Sequence, residues 1–185
     1  MQTTAQATDS TLETRRLILR PIAESDLEDL YAFHRQPNVG PAAGWKPHES
    51  RQETLEILRT LFIGQPGMFG IVWRETGQMI GEIGLTADPK REYPAAQMLG
   101  YAIREEFWGQ GIVTEAARAV VAYGFRQLGL LLISAYCYPE NHASRRILEK
   151  CGFHYEGTLA LCEQRYDGVV LDNECYSIGA AEWSN

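Results

Sequence analysis

Apolar residues recur along this chain at two spacings, and the switching between them predicts its elements. Over residues 14–20, Leu17 and Leu19 share one face, the period-two pattern of a strand, and Pro21 ends it. The spacing then turns helical: Ser25 is placed to cap a helix carrying Leu27, Leu30, Tyr31 and Phe33. Residues 40–47 hold two prolines and two glycines and read as a loop. Ser50 and Glu53 have the spacing of a capping box ahead of Leu55, Ile57, Leu58, Leu61 and Phe62, and residues 64–67 break that helix. Strand patterns at 69–74 and 79–85 flank a turn at 75–78 and predict a hairpin. After a polar loop at 88–94 comes a strand at 97–104. Residues 113–128 then set Ala116, Ala117, Val120, Val121, Gly124 and Leu128 at helical spacings. A strand at 131–138 follows, then a short helix opened by Asn141 and closed by Gly152. Strands at 153–163 and 169–178, around a turn at 166–168, complete the order. Helices before and within such a run of strands predict a mixed α/β (α+β) fold, with a central, largely antiparallel twisted sheet flanked by helices.

Composition narrows the classes. The 185 residues are one domain's worth, and no repeat, linker or low-complexity block divides them. Residues 11–179 read as a single domain, with a loose polar tail at 1–10 and a second tail at 180–185. The formal charge of -7, from 24 acidic and 17 basic residues, argues against direct nucleic-acid binding, which needs a basic footprint. It permits attraction of cationic substrates. No stretch approaches the roughly 18 apolar residues of a membrane span, and the N-terminal residues show no secretory hydrophobic region. Cys137, Cys151, Cys162 and Cys175 form no CxxC pair; they are expected as reduced, buried or half-buried thiols, a usage that suits the cytoplasm. His34, His48, His142 and His154 lack metal-ligand spacing, so no metal is expected.

The segment Phe107-Trp-Gly-Gln-Gly-Ile-Val-Thr-Glu-Ala116 joins a predicted strand to the longest predicted helix. Two glycines one residue apart let backbone amides pass close beneath a bound group, and the helix start adds free N–H groups and the positive end of a dipole. The segment fits either a pyrophosphate seat or a structural tight turn. It is not a nucleotide triphosphate loop, because the Gly-Lys-Ser/Thr ending is missing, and the dinucleotide pattern fails at Thr114. A second constellation runs from Tyr138 to Phe153. There Asn141 and Ser144 sit at another helix start, where they serve either as caps or as ligand contacts.

These pieces, in this order, resemble the GNAT acyltransferase superfamily. The likeness rests on Thr14-Arg-Arg-Leu-Ile-Leu-Arg20, Leu99-Gly-Tyr-Ala-Ile103, the 107–116 segment, Asn141-His-Ala-Ser-Arg-Arg-Ile-Leu-Glu-Lys-Cys-Gly-Phe153 and Asp172-Asn-Glu-Cys-Tyr176. It is nearest the branch containing the bacterial ribosomal-protein N-terminal alanine and serine acetyltransferases. The resemblance implies a splayed acyl-CoA cleft and acetyl-CoA as cosubstrate. Amides of Gly109, Gln110, Gly111, Ile112, Val113 and Thr114 would bind the CoA pyrophosphate. Main chain at Tyr101, Ala102 and Ile103 would bind the pantetheine arm, with Asn141 on the same side. The family commonly has Gln or Arg three residues before the first glycine; here that residue is Glu106.

The resemblance further implies Glu163 as general base acting through water, and Ser144 as the group that protonates or stabilises the leaving thiolate. The bland alternatives are a solvated strand residue for Glu163 and a helix cap for Ser144. Trp45, Tyr138 and Tyr176 are acceptor-site candidates, each with a packing role as its alternative. Residues 39–48 and the helix after Ser50 would border the acceptor. Arg15 and Arg16 are expected at a sheet edge and His142 on the surface. Arg145 and Arg146 would meet the CoA phosphates or form a charged helix face.

The expected reaction is direct acetyl transfer to an amine, without a covalent cysteine intermediate. A free α-amine, with a pKa near 7.7–8.0, surrenders its proton more readily than a lysine amine near 10.4. The leading acceptor is a protein or peptide N-terminal α-amine, with a ribosomal protein as the expected partner class. A small amine (polyamine, amino sugar or amino-acid derivative) is the enzymatic alternative, and an acyl-CoA-binding regulatory domain the non-enzymatic one. No partner helix stands out, leaving monomer and homodimer open.

Overall fold

The computed structural model describes residues 10–183; the first nine residues of the predicted N-terminal tail, and residues 184–185, lie outside the described residues. The strands are β1 (Leu12–Glu13), β2 (Leu17–Arg20), β3 (Met68–Trp73), β4 (Met79–Ala87), β5 (Ala96–Ile103), β6 (Leu132–Cys137), β7 (His154–Gln164) and β8 (Val170–Gly179). They form one sheet in the order β1-β2-β3-β4-β5-β6-β8-β7. Every neighbouring pair is antiparallel except β5–β6, as a largely antiparallel α+β sheet requires. The helices are α1 (Leu27–His34), α2 (Val39–Ala42), α3 (Arg51–Ile57), α4 (Ile112–Arg126) and α5 (His142–Lys150).

Strand alternation sends side chains to two cores, one on each face of the sheet. Leu17, Leu19, Ile71 and Ile83 meet Ile112, Ala116, Val120 and Leu148 of α4 and α5 in the larger core. Ile18, Val72 and Met79 meet Leu30, Phe33, Val39 and Leu58 on the α1–α3 face. The small residues Ala116 and Ala117 are fully buried, so α4 lies close against the sheet. Burial of a valine or leucine in either core is worth about 1.5–3 kcal/mol.

Several local readings are corrected. Ser25 does not cap α1. Instead the Asp26 carboxylate accepts the Ala23 N–H at 2.9 Å and a two-pronged contact from Arg20, fixing the chain ahead of the helix. The capping box is half formed: Ser50 Oγ accepts the Glu53 N–H, but the Glu53 carboxylate accepts from Glu49 N–H. Within the expected loop at 40–47, α2 makes a short turn because Val39 is drawn into the smaller core. Residues 180–183 turn back: the Ala180 N–H reaches the Leu131 carbonyl at 2.9 Å, and the Trp183 ring lies 5.4 Å from Phe125. Cys137 and Cys175 are buried and Cys151 is half-buried, but Cys162 is exposed because β7 is an edge strand. Among the described residues no helix is long and apolar enough to cross a membrane.

Candidate active site

β5 and β6 pair only at Ala96↔Leu132, Gln97↔Ile133 and Met98↔Ser134. Beyond Met98 the two parallel strands diverge, and a cavity of about 310 Å³ opens between them. β5 stays paired to β4 along this length, so only its β6-facing edge is left to hydrogen-bond an extended ligand. Met98, Leu99, Gly100 and Tyr101 form that wall. Ala102 and Ile103 run on past it with their side chains in the two cores, and the Ile103 carbonyl is taken by Trp108 Nε1 at 2.9 Å.

The glycine turn follows. Gly109 and Gly111 both have φ of +72°, the left-handed region that lets the backbone fold under a ligand. A Cβ at Gly109 would meet nothing within 4 Å, so the space above the turn is open. The first i→i−4 bond of α4 runs from the Glu115 N–H to the Gly111 carbonyl, leaving the amides of Ile112, Val113 and Thr114 ahead of it. The Ile112 and Val113 side chains are buried in the core, so each would serve a ligand through its amide. Gln110 folds its side chain onto the Glu106 carbonyl. This open cradle of amides fits a pyrophosphate. Glu106 itself turns outward and accepts from Gln36, and that hydrogen bond holds its carboxyl below the usual range. Arg16, expected merely at a sheet edge, reaches this turn: its Nη1 donates to the Gln110 carbonyl at 3.0 Å and its Nε to Glu115.

Asn141 caps α5, its Oδ1 accepting the Ser144 N–H at 3.0 Å, while its Nδ2 donates to the Ala42 carbonyl and ties α5 to α2. Ser144 is therefore not the cap. Its backbone is capped, the residue is 9% exposed, and its Oγ lies 2.7 Å from the Tyr101 hydroxyl. Burial pushes the Tyr101 phenol well above its ordinary range, against the opposing hydrogen bond with Ser144. Cys137 lines the same cavity, but burial, with the nearby Glu174 carboxylate, pushes its thiol up to about 11. A thiol held protonated is a poor nucleophile.

Glu163 also lines the cavity, and it is not a solvated strand residue. Its Oε1 accepts from the Tyr138 hydroxyl at 2.5 Å and its Oε2 from Asn173 Nδ2 at 3.0 Å. Burial and the Glu163 carboxylate both push the Tyr138 phenol upward, so it remains a donor. A bulge in β7 sets this geometry. Leu159 faces Asn173 and Glu163 faces Leu171, so three residues of β7 oppose Asp172 alone. Leu161 within it has φ of +48°, and its N–H is held by Asp172 Oδ1 at 2.8 Å. From the other side Gly44, with φ of +92°, closes over the pair: a Cβ there would sit 2.8 Å from both Glu163 Oε1 and the Tyr138 hydroxyl.

Other candidates lie elsewhere. Trp45 packs in the α1–α3 region, its ring 4.5 Å from His34 and 5.5 Å from His48, and does not line the cavity. Tyr176 is buried in the larger core against Tyr155, with its hydroxyl on Glu174. Arg145 is spent on Glu174 and the Pro139 carbonyl, while Arg146 and His142 are exposed. Sequence reasoning missed the Tyr101 hydroxyl, Asn173 and Arg16. A polar Asn173 between Leu171 and Cys175 on a mostly buried strand was the available signal; the other two depend on contacts remote in sequence. Among the described residues no cluster could hold a metal ion.

Comparison with known proteins gives the following. The family described as Acetyltransferase (GNAT) domain matches residues 16–154. The chain is 36% identical over 171 residues to the uncharacterized N-acetyltransferase YoaA of Bacillus subtilis, covering 90% of this chain and 95% of the relative. It is 27% identical to the [ribosomal protein uS5]-alanine N-acetyltransferase of Escherichia coli, covering 94% and 92%. The fold matches spermidine N-acetyltransferase from Vibrio cholerae, solved with CoA and spermine, with a TM-score of 0.78 at 22% identity, over 93% of this chain and 100% of that one.

Proposed function

Because the chain belongs to the GNAT acetyltransferase family, whose members transfer acetyl from acetyl-CoA to an amine, we propose that its acceptor is the N-terminal α-amine of a protein or peptide, a ribosomal protein among the candidates. Glu163 takes the amine proton through water, and Ser144 stabilises the departing thiolate by its hydroxyl or protonates it, a proton given up there being replaced from solvent. The observation that carries this reading is that the Glu163–Tyr138–Asn173 cluster and the Ser144–Tyr101 pair line one cavity, at the point where β5 and β6 part.

Acetyl-CoA supplies the activated thioester carbonyl. Glu163 holds one oxygen on Tyr138 and the other on Asn173, which fixes the carboxylate toward the cleft and leaves lone pairs for a water. A β5 amide on the edge beyond Met98 is suited to the oxyanion that forms when the amine attacks. Tyr101, protonated by virtue of its burial, can donate to Ser144 Oγ, which frees the serine proton to point at sulfur. A weak contact from the Tyr101 hydroxyl to the Ser144 carbonyl supports that direction. Cys137, held as a thiol, supports direct transfer over an acyl-cysteine route.

The cavity walls support a monoamine over a polycation. Glu163 is their one carboxylate, and Lys90 contributes a cation. A polyamine would meet repulsion where it needs several acids. The likeness to the uS5-alanine enzyme along most of both chains supports a protein terminus. A small-molecule amine is the second reading, supported by the fold shared with the spermidine enzyme. The four unpaired thiols suit a reducing cytoplasm. The test is CoA-thiol release from acetyl-CoA with mass detection of product, across N-terminal peptides and small amines. Selective acetylation of peptides is expected; turnover of small amines alone would overturn the proposed acceptor.

A further inference from the structure

The glycine turn brings no cation of its own. Residues 107–114 contain neither Lys nor Arg, and the flanking residues Glu105, Glu106 and Glu115 are acidic. Glu115 stands in the first turn of α4, where a carboxylate would repel an incoming phosphate. Its charge is met from a remote segment. Thr14 Oγ1 and the Arg16 N–H both donate to Glu115 Oε1, at 2.7 and 2.8 Å, and Arg16 Nε donates to Oε2 at 2.7 Å. Arg16 Nη1 donates to the Gln110 carbonyl. The guanidinium lies 5.9 Å from the centre of the Trp73 ring.

One nitrogen remains. Arg16 Nη2 makes no hydrogen bond among the described residues, and it lies 3.9 Å from where a Cβ on Gly111 would be. Three contacts thus fix the arginine while its last amino group faces the turn. An arginine held in this way presents a pre-oriented donor to phosphate at little further entropic cost.

We propose that Arg16 is a CoA-binding residue: Nη2 donates to a pyrophosphate oxygen while Nε and Nη1 hold Glu115 and the Gln110 carbonyl. The β1–β2 connection thereby supplies the cation that the turn lacks. This rests on the reading that residues 109–114 seat the pyrophosphate.

The test is calorimetric titration of CoA into the full chain and its variants, alongside turnover of acetyl-pantetheine, which lacks the pyrophosphate. Arg16→Gln is expected to raise the CoA Kd about ten- to a hundredfold and to flatten its salt dependence. The KM for acetyl-pantetheine should change less than about twofold, since that substrate makes no phosphate contact. Glu115→Gln removes the repelling charge but keeps one acceptor for the arginine, and should weaken CoA binding less than Arg16→Gln does. Parental CoA affinity in Arg16→Gln overturns the proposal. So does equal weakening by Arg16→Gln and Glu115→Gln, which would make the arginine a loop fastener only. Gly109→Asp, adding an anion to the seat, separates the underlying reading. If it leaves CoA affinity unchanged, the seat itself is wrong; if it weakens binding while Arg16→Gln does not, only the arginine assignment fails. Should Arg16→Gln not fold, Arg16→Lys keeps the charge but loses the fork, and is expected to fall between parent and loss. Parental affinity and salt slope in Arg16→Lys would count against the fork-shaped contact.

Discussion

Replacing Glu163 by Gln removes the proton acceptor but keeps a side chain that Tyr138 and Asn173 can still hold. Glu163→Gln is expected to lower kcat by about 10²–10⁴-fold and to leave the CoA Kd unchanged. Its deficit should shrink above about pH 8, where a free α-amine loses its proton without help. A pH–rate profile of both proteins checks this. Ser144→Ala acts at the leaving group and should lower kcat rather than raise KM. It also leaves the half-buried Tyr101 hydroxyl with only its weak contact to the Ser144 carbonyl, at a cost of about 1 kcal/mol readable by urea titration. At this scale the sequence was informative where a role is local. Asn141 three residues before Ser144 has cap spacing, and it caps. The Tyr101–Ser144 contact and the Arg16–Glu115 pair were hidden, because 43 and 99 positions separate the partners and no periodicity encodes such distances.

The elements carry the site by two departures from regularity. β7 aims Glu163 with a bulge built on a leucine in the left-handed region, where glycine or asparagine would have announced it. The 39–48 segment closes over the site through Gly44, whose φ of +92° and lack of Cβ permit the approach to Glu163 and Tyr138. Gly44→Ala is expected to cost about 1–2 kcal/mol in backbone strain alone. It should also disturb the Glu163–Tyr138 hydrogen bond, lowering kcat/KM for acceptor by at least about tenfold while CoA affinity holds. Steady-state kinetics with binding titration distinguishes the two effects. The long elements and their strand alternation were legible, because the two faces of one sheet impose a strict period on what is buried; the two-residue β1 and the four-residue α2 were not, being too short to show a period. The capping of α1 was not, because Asp26 competes with Ser25 and wins through its bond to Arg20.

Across the whole molecule, the α1–α3 region is packed around a buried histidine pair. His48 lies 4.6 Å from His34 and hydrogen-bonds Thr54, with Trp45 against both rings; the Glu53 charge acts on His48, and Glu82 contacts His34 at 3.0 Å. Burial, with His34 beside it, holds His48 down to about 4 from its ordinary 6.5. Unfolding therefore takes up a proton between those values, and stability falls as pH drops from 6.5 toward 4. Urea midpoints across that window should decline less steeply in His48→Gln than in the parent. An unchanged slope would remove His48 from the account.

The reaction itself is tested most directly with a single peptide that offers both a free N-terminus and an internal lysine. After incubation with acetyl-CoA, fragment-ion mass spectrometry locates the acetyl group. The geometry of one carboxylate, one lysine and an open β5 edge predicts a single acetyl on the α-amine, formed by the parent and strongly reduced in Glu163→Gln. Acetylation confined to the lysine, or equal product from parent and variant, would contradict it.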